Sequence, residues 1–172
     1  MDNQAQPAFE HHYSIPSGLS SDEATICQRN IDQTVRFFKH DFSAYEEIVA
    51  QDFWIHGPAT GQETKGIEAA KRLDMGYATA YPDAQYQIDD LFAVGDKVVV
   101  RWSVRGTHLG KRANLQIAGG SVNLEPSKQK LFINGIHVYR FNQEGEIAES
   151  WAMWDRLGEI EQIAEISVSA KK

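Results

Sequence analysis

The chain has 172 residues, 42% hydrophobic and 24% charged, which suits one globular domain whose core is large enough to enclose a pocket. A formal net charge of −7, with lysines and arginines scattered along the chain, argues against a nucleic-acid partner, and no apolar run reaches the length needed to cross a bilayer. Cys27 is the single cysteine, which excludes an internal disulfide framework and a cysteine-based zinc cluster.

In chain order, residues 1–20 read as a flexible arm. They contain no basic start followed by an apolar stretch, so a cytoplasmic location is expected; Phe9, Tyr13 and Ile15 give the arm a means of docking on a partner subunit. A single domain is expected over 21–166 and a frayed tail over 167–172. Ser20 followed by Glu23 is a capping box, and Cys27, Ile31, Thr34, Val35 and Phe38 recur at helical spacing, predicting the longest helix up to about His40. Ser43 with Glu46 repeats the start signal for a short second helix. Phe53–His56 is a short apolar strand stopped by Gly57-Pro58, and a third helix over 66–81 is ended by Pro82.

Strands follow. Tyr86–Val94 alternates, Gly95-Asp96 turns, and Lys97–His108 is rich in β-branched residues; 109–127 reads as a long loop, with Leu115, Ile117 and Val122 placed either to close over a substrate or to reach a partner. Lys130–Phe141 and Ile147–Asp155 form a hairpin around the Gly145 turn, and a last helix spans 156–166. Three helices ahead of long strands predict an α+β fold: a strongly curved antiparallel β-sheet, the three N-terminal helices over its concave face, and a short C-terminal helix.

The residues that carry chemistry are few. His137 is an imidazole on the half-buried face of a strand, where an ionisable group costs free energy unless it is paired or used. His108 ends its strand and His56 precedes Gly57-Pro58; three histidines on separate strands form a conceivable metal set, but no short ligand spacing supports one. Asp155 lies just before the last helix, where capping is the competing role, and alternation places it with Trp151 and Met153, opposite Ser150, Ala152 and Trp154. On Lys97–His108 one face carries Arg101, Ser103 and Arg105 and the other Val98, Val100, Trp102 and Val104. An inward polar face would let Arg101 hold an enolate or carboxylate, and an outward one would make it a subunit contact. Trp54, Trp102, Trp151 and Trp154, with Tyr77, Tyr81 and Tyr139, supply aromatic area for a flat or greasy ligand. An outward Val98, Val100 and Trp102 would form an apolar patch suited to a homodimer.

Tyr81-Pro82-Asp83, Val94–Trp102, Gly106-Thr107-His108, and Gly135-Ile136-His137 leading to Glu149-Ser150-Trp151 resemble the SnoaL-like polyketide cyclases, over about Ile26 to Leu157. That resemblance implies a cone-shaped α+β fold of the nuclear-transport-factor type, and ring closure by proton transfer with no metal or organic cofactor. It places His137 at the family's assisting histidine. The family's acid/base aspartate commonly follows the tryptophan, where this chain has Ala152. The expected catalytic set is therefore His137 with Asp155 or His56 in support, and the expected substrate contacts are Trp54, Tyr77, Arg101, His108, Tyr139, Trp151 and Trp154. The expected activity is cyclisation, isomerisation or dehydration of a small, largely apolar, polyketide- or terpenoid-like substrate. The alternatives are a binding module that lost its acid/base pair, or an epoxide hydrolase built on an Asp and Arg pair drawn from Asp74, Asp155, Arg101 and Arg105.

Overall fold

Helix α1 (Ser21–Phe38) begins as its sequence dictates: the Ser20 side chain accepts from the Glu23 N–H while Glu23 reaches back to the Ser20 N–H. Its core stripe is Cys27, Asn30, Ile31, Thr34 and Phe38. Two residues beyond the helix, His40 takes a left-handed backbone conformation, φ 51°, at a position that glycine usually fills. The computed structural model describes residues 13–40, 42–57, 63–117 and 120–165; Phe9, the side chain of Ile117 and the expected tail lie outside them.

The second helix is one turn, α2 (Tyr45–Ile48), entered through a 3-10 turn over Phe42–Ala44. The capping box expected at Ser43 does not form, because Ser43 is inside that turn and Ala44 becomes the uncapped first position. Helix α3 (Ile67–Ala80) starts at Gly66, φ 86°, whose N–H donates to the Phe53 carbonyl at 2.7 Å. It stops before Pro82, whose ring disfavours helical backbone at the residue ahead of it. Helix α4 (Arg156–Ile163) is capped by the Asp155 carboxylate.

Among the described residues the strands are β1 (Tyr13–Ser14), β2 (Val49–His56), β3 (Glu63–Lys65), β4 (Gln85–Val94), β5 (Lys97–Thr107), β6 (Arg112–Ile117), β7 (Gly120–Leu124), β8 (Lys130–Phe141) and β9 (Ile147–Trp154). Seven form a curved sheet in the order β1-β4-β5-β8-β9-β2-β3, not closed into a barrel. The sheet is mixed rather than antiparallel: β2 arrives from the helices and runs parallel to β9, and β1 runs parallel to β4. The described part of the expected arm thus pairs within its own chain, with Ile15 and Leu19 against the core. The stretch expected as a loop contains a hairpin, β6–β7, whose alternation is obscured in the sequence by the glycines around it; Leu115 buries its side chain there.

Parity decides which side chains can meet. Val98, Val100, Trp102 and Val104 of β5 face inward and are buried, and α1 packs against this strand. The apolar patch expected to drive dimerisation is therefore core, because the helices cover the apolar side. The outer face instead exposes Phe132, Ile136, Trp151 and Met153 among charged residues, with an open groove of about 640 Å³ lined in part by Asp89, Arg101, Arg105, Asn134 and Asp155. No helix among the described residues is long and apolar enough to cross a membrane.

Candidate functional site

His137 lies on the inner face of β8, directly across the ladder from Ala152. The Trp102 indole N–H donates to its Nδ1 at 2.7 Å, which places the imidazole's own proton on Nε2. Nε2 bonds to no described residue. The geometry depends on Gly135, since a Cβ there would sit 2.5 Å from the Trp102 ring and 2.7 Å from the Met153 carbonyl. Glycine thus lets the indole lie flat across the strand and reach the histidine two residues on. The ring stacks on Tyr139 at 5.4 Å and on Trp154 at 6.3 Å, with Phe38 edge-on. Burial, assisted by nearby His40, pushes its pKa down to about 3, so the imidazole is uncharged at physiological pH.

The interior carboxylic acid comes from a helix. Ile67, Ala70, Asp74 and Tyr77 follow the core-facing stripe of α3, and the Tyr45 hydroxyl donates to Asp74 Oδ2. Burial pushes the Asp74 pKa up to about 6, and the Tyr45 hydrogen bond only partly opposes it. The charge of Asp74 is felt by Tyr86 and by Tyr139, the ring that stacks on His137. His40 lies tilted against the Tyr86 ring at 4.1 Å and is pushed down to about 4 by burial. The interior therefore holds an acid that titrates near neutrality, two neutral imidazoles and several phenols. This combination can remove a proton from carbon and stabilise the oxyanion that results.

Elsewhere in the interior Glu159 is fully buried. Its Oε1 accepts from the Tyr81 hydroxyl at 3.1 Å and Arg112 Nε at 3.3 Å, and its Oε2 accepts from Trp154 Nε1 at 3.4 Å and pairs with Arg156 at 3.7 Å. The cluster ties β6, α3, β9 and α4 together. Next to it, His108 is wholly buried and pinned by Ser127.

The sequence model of the family described as SnoaL-like polyketide cyclase matches residues 28–163. The chain belongs to that family. Among solved structures, it is 24% identical to "Putative polyketide cyclase from BACILLUS CEREUS ATCC 10987", covering 88% of this chain and 89% of that one at a TM-score of 0.67. It is 18% identical to the "Putative SnoaL-like polyketide cyclase from Jannaschia Sp. CCS1", with 86% and 100% covered and a TM-score of 0.67. A phenazine biosynthesis-related protein from Pseudomonas aeruginosa shares 12% identity over 88% and 95% at a TM-score of 0.62. At these identities the likeness shows the fold. No curated protein sequence matches the chain.

Within this SnoaL-like domain the structure brings together His137, Tyr139, Trp154 and Tyr77 of the residues singled out in the sequence. Trp102 joins them through its bond to His137, and Tyr81 and His108 lie beside Tyr77, whereas His56, Arg101 and Asp155 stand apart. His56 is on the outer face, stacked on Trp151 at 4.8 Å and tilted against Trp54 at 4.4 Å, with Nε2 3.1 Å from Glu149. Arg101 points outward to Asp89 at 3.3 Å, and Asp155 accepts from the Gly158 N–H at 2.8 Å as the cap of α4. Arg105 stacks on Phe132 of the same outer face, so of the four residues considered for a hydrolase pair only Asp74 is interior. His56, His108 and His137 do not converge, and among the described residues no group of three His, Cys, Asp or Glu gathers to hold a metal. Asp74, Tyr45, His40, Arg112 and Glu159 complete the interior set; of these only Asp74 left a readable trace, a carboxylate on the apolar stripe of a helix.

Proposed function

We propose that this SnoaL-like protein is a cofactor-independent acid/base enzyme acting on a small, largely apolar, polyketide- or terpenoid-like ketone, by cyclisation, isomerisation or dehydration. The supporting observation is the Asp74 carboxyl, held among phenols with a pKa pushed up to about 6. An acid so poised can accept a proton at neutral pH and return it. In this reading Asp74 takes the proton from the carbon next to a carbonyl. His137 then meets the developing enolate oxygen with its Nε2–H, as a neutral donor whose tautomer Trp102 fixes. Asp74 would stand in for the family's aspartate, whose place opposite His137 is taken by Ala152. We further propose that the protein pairs with a second copy through the outer sheet face, where Ile136 and Met153 stand opposite one another on adjacent strands and are both exposed.

The test is deuterium exchange at the α-carbon of 2-tetralone in D2O, which follows proton abstraction without knowledge of the natural substrate. Catalysed exchange that disappears in Asp74→Asn and falls in His137→Ala is expected. Ala152 favours a second reading, a binding module, and tetralone that binds without catalysed exchange would select it over the enzyme.

A further inference from the structure

The polar cluster beside Glu159 contains more donors than acceptors. Arg112 directs only Nε at Glu159; its guanidinium lies 3.8 Å over the Tyr77 ring, near enough for the Tyr77 hydroxyl to feel it, and its terminal nitrogens meet no carboxylate among the described residues. The Tyr77 hydroxyl is buried and unpartnered among the described residues. His108 accepts the Ser127 backbone N–H at Nδ1, 3.2 Å away, so its proton is on Nε2, which is buried and unpartnered too. Glu159 cannot answer them, since both its oxygens already face donors. His108 feels the Arg112 charge, and Tyr77 feels both Arg112 and Glu159, so these groups share one neighbourhood. Unmet donors in a buried place are costly, and a cation with free N–H groups is matched best by an ionised oxygen pair.

We propose that Arg112, Tyr77 and His108 form a subsite for a carboxylate carried by the substrate. The terminal nitrogens of Arg112 take its oxygens, and Tyr77 O–H and His108 Nε2–H complete the shell. Asp74 and Tyr77 lie one turn apart on α3, and Tyr77 meets the Trp154 ring that in turn stacks on His137, so the carboxylate end and the proton-transfer end adjoin. The substrate class follows: a flat apolar molecule with a carboxylate at one end and an acidic C–H at the other. This inference rests on the reading of the interior as the substrate site.

Calorimetric titration with 2-naphthoate and its uncharged methyl ester tests it. Wild type should bind the acid at least about tenfold more tightly than the ester, as a charge-assisted contact demands. Tyr77→Phe removes only the hydroxyl and keeps the ring beneath Arg112, so the fold should be kept while the acid loses about threefold or more in affinity and the ester loses nothing. The double variant Arg112→Gln/Glu159→Gln removes both charges of the pair at once and should abolish the preference for acid. Equal binding of acid and ester by wild type overturns the subsite and leaves the interior reading standing. Failure of both ligands to bind removes the interior reading and the subsite with it. Displacement of the naphthoate by equimolar acetate would show a site for any free anion, and would overturn its assignment to a substrate.

Discussion

Replacing Asp74 by Asn should make the protein more stable and inactive at once. The carboxyl, ordinarily at 3.8, is pushed up to about 6 by burial. At about 1.4 kcal/mol per pH unit of displacement, the ionised form costs the folded chain up to roughly 3 kcal/mol. Asp74 keeps some exposed surface, which brings the expected cost to between about 1.5 and 3 kcal/mol. Asparagine is uncharged, nearly the same shape, and still offers an oxygen to the Tyr45 hydroxyl. The gain should be present in full at pH 8, where the native aspartate is ionised. It should shrink as pH falls through 6 and vanish below about 3.8, where the carboxyl is neutral in both folded and unfolded chains. In a chain of this length the gain amounts to roughly 3–12 °C in melting temperature. Urea unfolding at pH 8, 6 and 4, together with the exchange assay, measures both effects. A variant no more stable than wild type at pH 8, or equally stabilised at pH 4 and pH 8, refutes the claim that a strained carboxylate is what the site maintains.

Trp102→Phe removes the donor to His137 Nδ1 and should cost about 1–2 kcal/mol in urea unfolding, while NMR of the ring nitrogens shows the fixed tautomer released and the pKa raised from about 3. His137 and His40 are both depressed in the folded chain, so the stability they contribute is complete above the unfolded value of 6.5 and is lost as pH falls toward about 4 and then 3. His137→Gln should flatten that acid limb of the stability curve, and an unchanged limb would count against it. Light scattering should give twice the monomer mass for wild type and the monomer mass for Met153→Glu, whose new charge falls on the exposed outer face; a monomeric wild type ends the pairing proposal.

Local rules carried much of the fold. The Ser20–Glu23 box, Pro82 and the alternation along β5 and β9 are decided by backbone geometry within a few residues, and the elements they predict are present. Which face of β5 turns inward was open until the helices were in place, because alternation alone has no preferred side. The site was harder to read for the same reason. His137 announced itself as an imidazole on a strand, but its tautomer depends on Trp102, 35 residues away in sequence. Asp74 stands on the apolar stripe of α3, but its raised pKa comes from burial that only the docked helix supplies, and the Arg112–Glu159 pair joins residues 47 apart. The β6–β7 hairpin lay hidden among turn-forming residues that a long loop would also contain.

Glu159 lets the shortest helix of more than one turn govern the rim of the interior. Four elements lean on a single carboxylate carried by eight residues, a length too small to be helical on its own. Fraying of α4 would free the β6–β7 hairpin, the end of α3 and the Trp154 ring together, while the sheet beneath kept its ladder. Opening and closing of the protein around a ligand would then be a partial unfolding of its last helix, and the first amides to exchange with solvent would be those of α4 and β6 in concert.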